Sequence, residues 1–372
     1  MALLFMDGFD HYNYNGTAQK KWDNPIAFSG YTSGASSGRF STGGVSPNGS
    51  GNLFCHQWAG MNKTFVWTPT PPSELIIGFA AKFDFTSEVH PFLQILGDNG
   101  RPQVQFWLDA IGGDIKLVLA DPAALAVPVS DTPFPTGTLI ANTGFVPPIG
   151  LWFYFETKIL FSTGSTGRID IQLDSTPFVS ITNIKTSNTG TSYFKGWRIT
   201  GLEQFSSGFT IDDLYIADNL PGNITDFVGE VRVQTMYPDA EGFQNDFFPS
   251  TGTNNATNVN LARTNWTETT PTAKYNFSGT INAIDLYSIG NYTIAGTIFG
   301  VQANLSHRKD DVGARRVAPI LRTGGNIYVG DDVPQYSDYT WAGHIWEENP
   351  ALALPWTLTE LNQAEFGIKI VS

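Results

Sequence analysis

Leu4-Phe5-Met6-Asp7-Gly8-Phe9-Asp10 near the start, and Phe209-Thr210-Ile211-Asp212-Asp213-Leu214-Tyr215-Ile216 far downstream, read as the two closing strands of one sandwich. Between them the chain is strand and turn with hardly a helical stretch. In 75–85, Leu75, Ile77, Phe79, Ala81, Phe83 and Phe85 point one way while Gly78, Lys82 and Asp84 point the other. Period two over this length is a half-buried strand. Val104, Phe106 and Leu108 then alternate with Gln103, Gln105 and Asp109, and Gly112-Gly113 turns the chain into Ile115, Leu117 and Leu119. Pattern and turn residues together predict a hairpin. A second hairpin runs from Leu151, Phe153, Phe155, Thr157, Ile159 and Phe161 through the loop 162–167. It returns on Ile169, Ile171 and Leu173, interleaved with Arg168, Asp170, Gln172 and Asp174. One apolar and one wet face per strand is what antiparallel sandwich sheets require.

Composition agrees. The 372 residues are 15% charged and 13% aromatic, with 38 Gly and 22 Pro, a mix suited to short strands and tight turns. A formal charge of −13 opposes phosphate backbones and anionic lipid, so neither nucleic-acid binding nor membrane insertion is expected. No run approaches the ~20 apolar residues of a membrane span. The start, Met1-Ala2-Leu3-Leu4-Phe5-Met6-Asp7, has no basic segment and does not read as a signal peptide. The single cysteine, Cys55, excludes an intrachain disulfide and reads as a small buried hydrophobe, with an intermolecular bridge as the other reading.

The polar, turn-rich stretch 219–223 predicts a linker between a sandwich over 1–218 and a second β-rich domain over 224–372. In the second, Val228-Gly229-Glu230-Val231-Arg232-Val233-Gln234-Thr235 resumes strand alternation. The Asn-, Thr- and Ser-rich 243–266 predicts an extended arm, and 294–305 with 315–322 a long hairpin. Thr357-Leu358-Thr359-Glu360 fits a capping box, with Leu358, Leu361 and Phe366 as an apolar stripe and Gly367 as a left-handed stop. One short C-terminal helix is therefore expected.

The first domain resembles the laminin-G/concanavalin-A-like jelly roll. The residues that carry this are Asp7-Gly8-Phe9-Asp10, the strand from Trp152, the turn at Gly167 into Arg168-Ile169-Asp170-Ile171-Gln172-Leu173-Asp174, and Ile211-Asp212-Asp213-Leu214-Tyr215-Ile216. That family sets its first and last strands side by side. Val228–Pro238, followed near the end by Trp356-Thr357 through Asn362 to Gly367, is similar to a two-part architecture of tailed-bacteriophage virion proteins. The resemblance implies a structural component of the virion, in tail, baseplate, fibre or capsid decoration, made in the bacterial host. Its implied partners are copies of itself (a homo-oligomer, with a trimer among the states allowed) and other phage structural proteins. The alternative it implies is a carbohydrate-binding module that attaches the virion to a host surface glycan.

No catalytic constellation stands out. Retaining glycosidases need two carboxylates about 5–5.5 Å apart, whereas Glu74, Glu88, Glu156 and Glu203 stand singly and Glu347-Glu348 would face opposite ways. His11, His56, His90, His307 and His344 show no metal-ligand spacing, and Cys55-His56 lacks a third partner. Asp212-Asp213 reads as a hydrogen-bonding pair that pins the N-terminal strand, with calcium as the other reading. A non-enzymatic chain without metal or cofactor is expected. Tyr336, Tyr339, Trp341 and Trp346 lie in a polar, turn-rich segment, where flat rings would anchor an interface, pack a core or stack on sugars.

Overall fold

The computed structural model describes residues 2–9, 21, 24–26, 39–41, 52–56, 60–64, 71–83, 89–98, 100, 102–109, 114–120, 137–188, 190, 192–200, 208–260, 274–293 and 295–372. The chain divides into two compact units, Met1–Gln234 and Thr235–Ser372.

The strands of the first unit are, in chain order, β1 (Leu3–Asp7), β2 (Asn24–Ile26), β3 (Arg39–Ser41), β4 (Asn52–His56), β5 (Gly60–Thr64), β6 (Glu74–Phe83), β7 (Val89–Leu96) and β8 (Pro102–Asp109). There follow β9 (Asp114–Ala120), β10 (Gly137–Asn142), β11 (Trp152–Leu160), β12 (Gly167–Leu173), β13 (Thr176–Ile184), β14 (Gly196–Thr200) and β15 (Gly208–Asp218). An eight-stranded sheet runs β13-β12-β11-β6-β15-β4-β3 with β1 also on β15, and a seven-stranded sheet runs β10-β9-β8-β7-β14-β5-β2. Both expected hairpins form, β8 with β9 and β11 with β12. The turn at Gly112-Gly113 lies outside the described residues.

The two distant segments do close on each other: β1 pairs β15 antiparallel, with Phe5 opposite Ile216 and Asp7 opposite Leu214. One core joins the sheets. Phe79, Phe83 and Phe155 from the eight-stranded sheet meet Phe92 and Phe106 from the other, with Phe83–Phe92, Phe92–Phe155 and Phe106–Phe155 centroids 5.5, 5.7 and 5.6 Å apart. This is an all-β sandwich.

The expected linker at 219–223 falls inside the first unit, which continues to Gln234. The reason is local. Backbone N–H groups of Val228, Gly229 and Val233 donate to carboxylates of the sandwich, so this stretch lies on the first unit as an extended strap and forms no sheet strand.

The second unit holds β16 (Pro238–Asn245), β17 (Phe248–Pro249), helix α1 (Asn255–Val259), β18 (Asn276–Phe277), β19 (Ile284–Ile289), β20 (Val301–His307) and β21 (Arg316–Thr323). It ends with β22 (Asn326–Val329), β23 (Val333–Pro334), β24 (Thr340–Trp346), β25 (Glu348–Asn349), β26 (Leu354–Pro355), helix α2 (Leu358–Gln363) and β27 (Glu365–Ile370). A six-stranded sheet runs β16-β19-β27-β21-β22 with β23 on β21.

Three expectations are corrected here. The described part of the arm is built structure, in β16, β17 and α1, whose N-terminus is capped by the Asn254 side chain; residues 261–266 lie outside the described residues. The long hairpin does not form. β20 pairs β24, and β21 takes the interior of the sheet beside β27, because its residues 317–321 are buried on both faces while β20 keeps exposed positions. The capping box at Thr357 and Glu360 is present as expected, but the helix ends at Ala364 and Gly367 sits within β27.

Candidate functional site

In the seven-stranded sheet, alternation sends Leu93 and Ile95 of β7, Val104, Phe106 and Leu108 of β8, and Trp197 and Ile199 of β14 into the core. By the same period, Gln94, Gln103, Gln105, Trp107 and Arg198 take the opposite face. Register sets Arg198 opposite Gln94 and Gln94 opposite Gln105, while Trp107 follows two residues farther along β8, opposite Lys116 of β9. The Arg198 Nη1 donates to Gln94 Oε1 at 3.1 Å, and Gln94 Nε2 donates to Gln105 Oε1 at 2.8 Å. At the margin, Gln103 Oε1 accepts from the Asn188 backbone N–H at 2.7 Å.

This face is polar yet shielded from water. Relative exposure is 6% for Arg198, 2% for Gln94, and 3% for both Gln105 and Trp107. The buried Trp107 Nε1 has no hydrogen-bond partner. Burial lowers the Arg198 guanidinium to about 10, so it stays cationic at neutral pH. Fixed donors in a desolvated setting act on a ligand more strongly than they would in water.

The side chains singled out in the sequence are dispersed. Trp346 belongs to a core with Ala303, Leu321 and Trp356, and the Trp356 Nε1 donates to its carbonyl at 3.0 Å. Trp341 lies on the same strand at odd spacing, hence on the other face, and is half-buried. Tyr339 is covered by the Arg308 guanidinium, 5.2 Å from its ring centroid, and Tyr336 is exposed. The four rings therefore do not share one platform.

Glu74 pairs with Lys158 at 3.5 Å, and Glu156 is buried against the Tyr215 hydroxyl. His307 is buried, and burial lowers its imidazole to about 4, so it is neutral; His344 meets Asp331 at 3.1 Å. Asp212 Oδ1 accepts from the Asp213 N–H, while Asp213 Oδ1 accepts from Val233 N–H. Among the described residues no group of three His, Cys, Asp or Glu gathers to hold a metal, and no helix is long and apolar enough to cross a membrane. His11, Glu88, Glu203 and the side chains of Cys55, His56 and His90 lie outside the described residues.

The polar row was not anticipated as a site. A signal for part of it existed: Gln103-Val104-Gln105-Phe106-Trp107 has a polar face that ends in tryptophan where a solvated strand would carry charge. Arg198 gave none, because its partner Gln94 is 104 residues away.

No protein-family model and no curated protein matches the sequence. Among solved structures the chain is similar to an endo-β-1,4-glucuronan lyase from the fungus Trichoderma reesei, at 12% identity over 59% of this chain and 96% of that one, with a TM-score of 0.41. It is similar to the alginate lyase Aly36B, at 12% identity over 58% and 96% of the two chains, TM-score 0.37. It is also similar to the carbohydrate-binding module CBM66 from Bacillus subtilis, at 9% identity over 48% and 89%, TM-score 0.29. At such identities the likeness reaches the fold alone. One expectation is nonetheless corrected: with polysaccharide lyases among the similar structures, the chain is no longer taken as non-enzymatic.

Proposed function

We propose that the first unit is a glycan-binding module that engages an acidic polysaccharide along the row Arg198, Gln94, Gln105 and Trp107. The observation that carries this is a buried guanidinium–amide–amide ladder beside an indole N–H with no partner. Primary amides both donate and accept, as sugar hydroxyls do. A guanidinium is matched in geometry and charge to a carboxylate. A sandwich core of this kind holds such groups on rigid strands, which is how a site keeps its geometry.

The test is retention by alginate and by polyglucuronate in affinity electrophoresis, with dextran as the neutral control. Arg198→Ala should weaken retention by at least ~10-fold, the loss of one charge-assisted hydrogen bond. Trp107→Phe should weaken it less and leave the circular dichroism spectrum unchanged. If Arg198 only braces the sheet, Arg198→Ala will lower the melting temperature and leave retention intact, and the reading fails. Following the ultraviolet absorbance of unsaturated sugar ends in the same samples would reveal turnover.

A second reading concerns assembly, which the virion resemblance implies, and one observation favours it. Phe248 and Phe277 of the second unit are 64% and 51% exposed with centroids 5.9 Å apart, an aromatic pair of the kind that anchors interfaces. We propose that copies of the chain meet there. Light scattering should give a multiple of 40.6 kDa that falls when both are changed to serine, and a monomer mass for the unmodified chain would remove the reading.

A further inference from the structure

The row that holds Arg198 runs farther than its hydrogen-bonded members. Register carries it across the whole seven-stranded sheet. On one side Gln105 stands opposite Val118 of β9, and Val118 opposite Leu139 of β10. On the other, Arg198 stands opposite Asn62 of β5, and Asn62 opposite Asn24 of β2. Read from β2, the first five positions are therefore amide, amide, guanidinium, amide, amide, and the last two are apolar. The one charge sits at the centre of the polar run.

Neighbouring strands lie about 4.8 Å apart, close to the advance of one sugar along an extended polysaccharide. A glycan laid across the strands thus sets one sugar at each position, and the polar run covers roughly 19 Å of it. We infer, on the glycan-binding reading of this face, that its ligand is a polysaccharide whose acidic sugars are isolated, with two neutral sugars on either side of the carboxylate that Arg198 receives.

Charge sets that spacing. A guanidinium matches one carboxylate, in a fork of parallel hydrogen bonds. Gln94 and Gln105 are 2% and 3% exposed and already joined to each other at 2.8 Å. A carboxylate set against either would leave water with no cation to receive it, and an unpaired charge in such a place is costly. A sugar hydroxyl is not, since an amide offers it both a donor and an acceptor. Lys116 of β9 belongs to the neighbouring row, opposite Trp107, so the row itself holds a single cation. At longer range the formal charge of −13 on the chain also disfavours a densely anionic polymer.

Calorimetric titration of the full chain tests this with oligosaccharides of equal length from three polymers. In deacylated gellan a run of neutral sugars separates the glucuronates, in hyaluronan a single one does, and in polyglucuronate none does. Affinity should fall in that order, with the gellan fragments at least ~10-fold tighter than polyglucuronate. Arg198→Gln makes every polar position an amide, and it should bind the gellan fragments at least ~10-fold more weakly than the unmodified chain. Any other order among the three affinities would overturn the spacing. If hyaluronan or polyglucuronate binds tightest and Arg198→Gln weakens it, the glycan-binding reading survives that loss; if none of the three binds, both fall. An undiminished gellan affinity in Arg198→Gln would also overturn the spacing, because the acid would then sit elsewhere. Should Arg198→Gln not fold, the order measured on the unmodified chain decides alone.

Discussion

Gly367→Ala should destabilise the second unit by about 3 kcal/mol and lower its calorimetric transition by roughly 10 °C, leaving the first unit's transition in place. Gly367 lies in β27, between Leu286 of β19 and Ile320 of β21. A Cβ there would stand 1.9 Å from the Asp285 carbonyl oxygen, 2.8 Å from its carbon and 3.0 Å from the Leu286 Cα. All three are backbone atoms, so no side chain can swing aside and the strands must part. The displaced residue is also the polar hub of the unit. The Asp285 carboxylate accepts from Asn255 Nδ2 at 2.9 and 3.0 Å, from Asn276 Nδ2 at 3.2 Å, and from the Tyr287 hydroxyl. Asn255 opens helix α1, so parting the strands also strains the helix seat. Calorimetry that finds the second transition unmoved would mean that β27 and β19 are not packed this closely.

Gly367 also shows where the sequence was readable and where it was not. A glycine after a capped helix reads equally well as a helix stop or as a close strand crossing, since both demand the absence of Cβ. Only the position of β19, far away in the chain, decides between them. The same holds for β21. Its residues Val317, Ala318, Ile320 and Leu321 are buried on both faces, and such a run does not announce its neighbours. By contrast β8, β9, β11 and β12 each carry their own period-two pattern, and their two hairpins need only local turns. The pairing of β1 with β15 was legible through the resemblance, since that family sets its first and last strands side by side, and the register bears it out with Phe5 opposite Ile216 and Asp7 opposite Leu214.

The site was less legible than the fold for a related reason. Strand alternation identifies Gln105 as facing away from the core, but not that Gln94 and Arg198 will stand in line with it. That alignment depends on the order of strands in the sheet. Glu156 illustrates the same limit. Alone in the sequence it is an unremarkable carboxylate, and its partners come from β15 and from the strap beyond the sandwich. The aromatic segment left three readings open, and for Trp346 the structure meets the core reading: β24 pairs with β20 and turns that ring into a core with Leu321 and Trp356.

Phe155→Ala should remove about 4 kcal/mol from the first unit, the upper range for a buried aromatic, and so threaten its folding at physiological temperature. Phe155 is fully enclosed, with centroids 5.5 Å from Phe79 on its own sheet and 5.7 and 5.6 Å from Phe92 and Phe106 on the facing one. The last two contacts are edge-to-face, the geometry in which aromatic pairs add to the energy of burial. Truncation thus opens a cavity at the seam between the sheets, where neither can collapse without dragging its strands. The neighbouring residue on the opposite face, Glu156, anchors the strap, so the same variant should loosen 226–233 well below the global melting temperature. Phe155→Leu, which keeps most of the volume, should recover about half of the loss. If Phe155→Ala lowers the first transition by less than ~2 °C, the two sheets are not held together through this ring cluster.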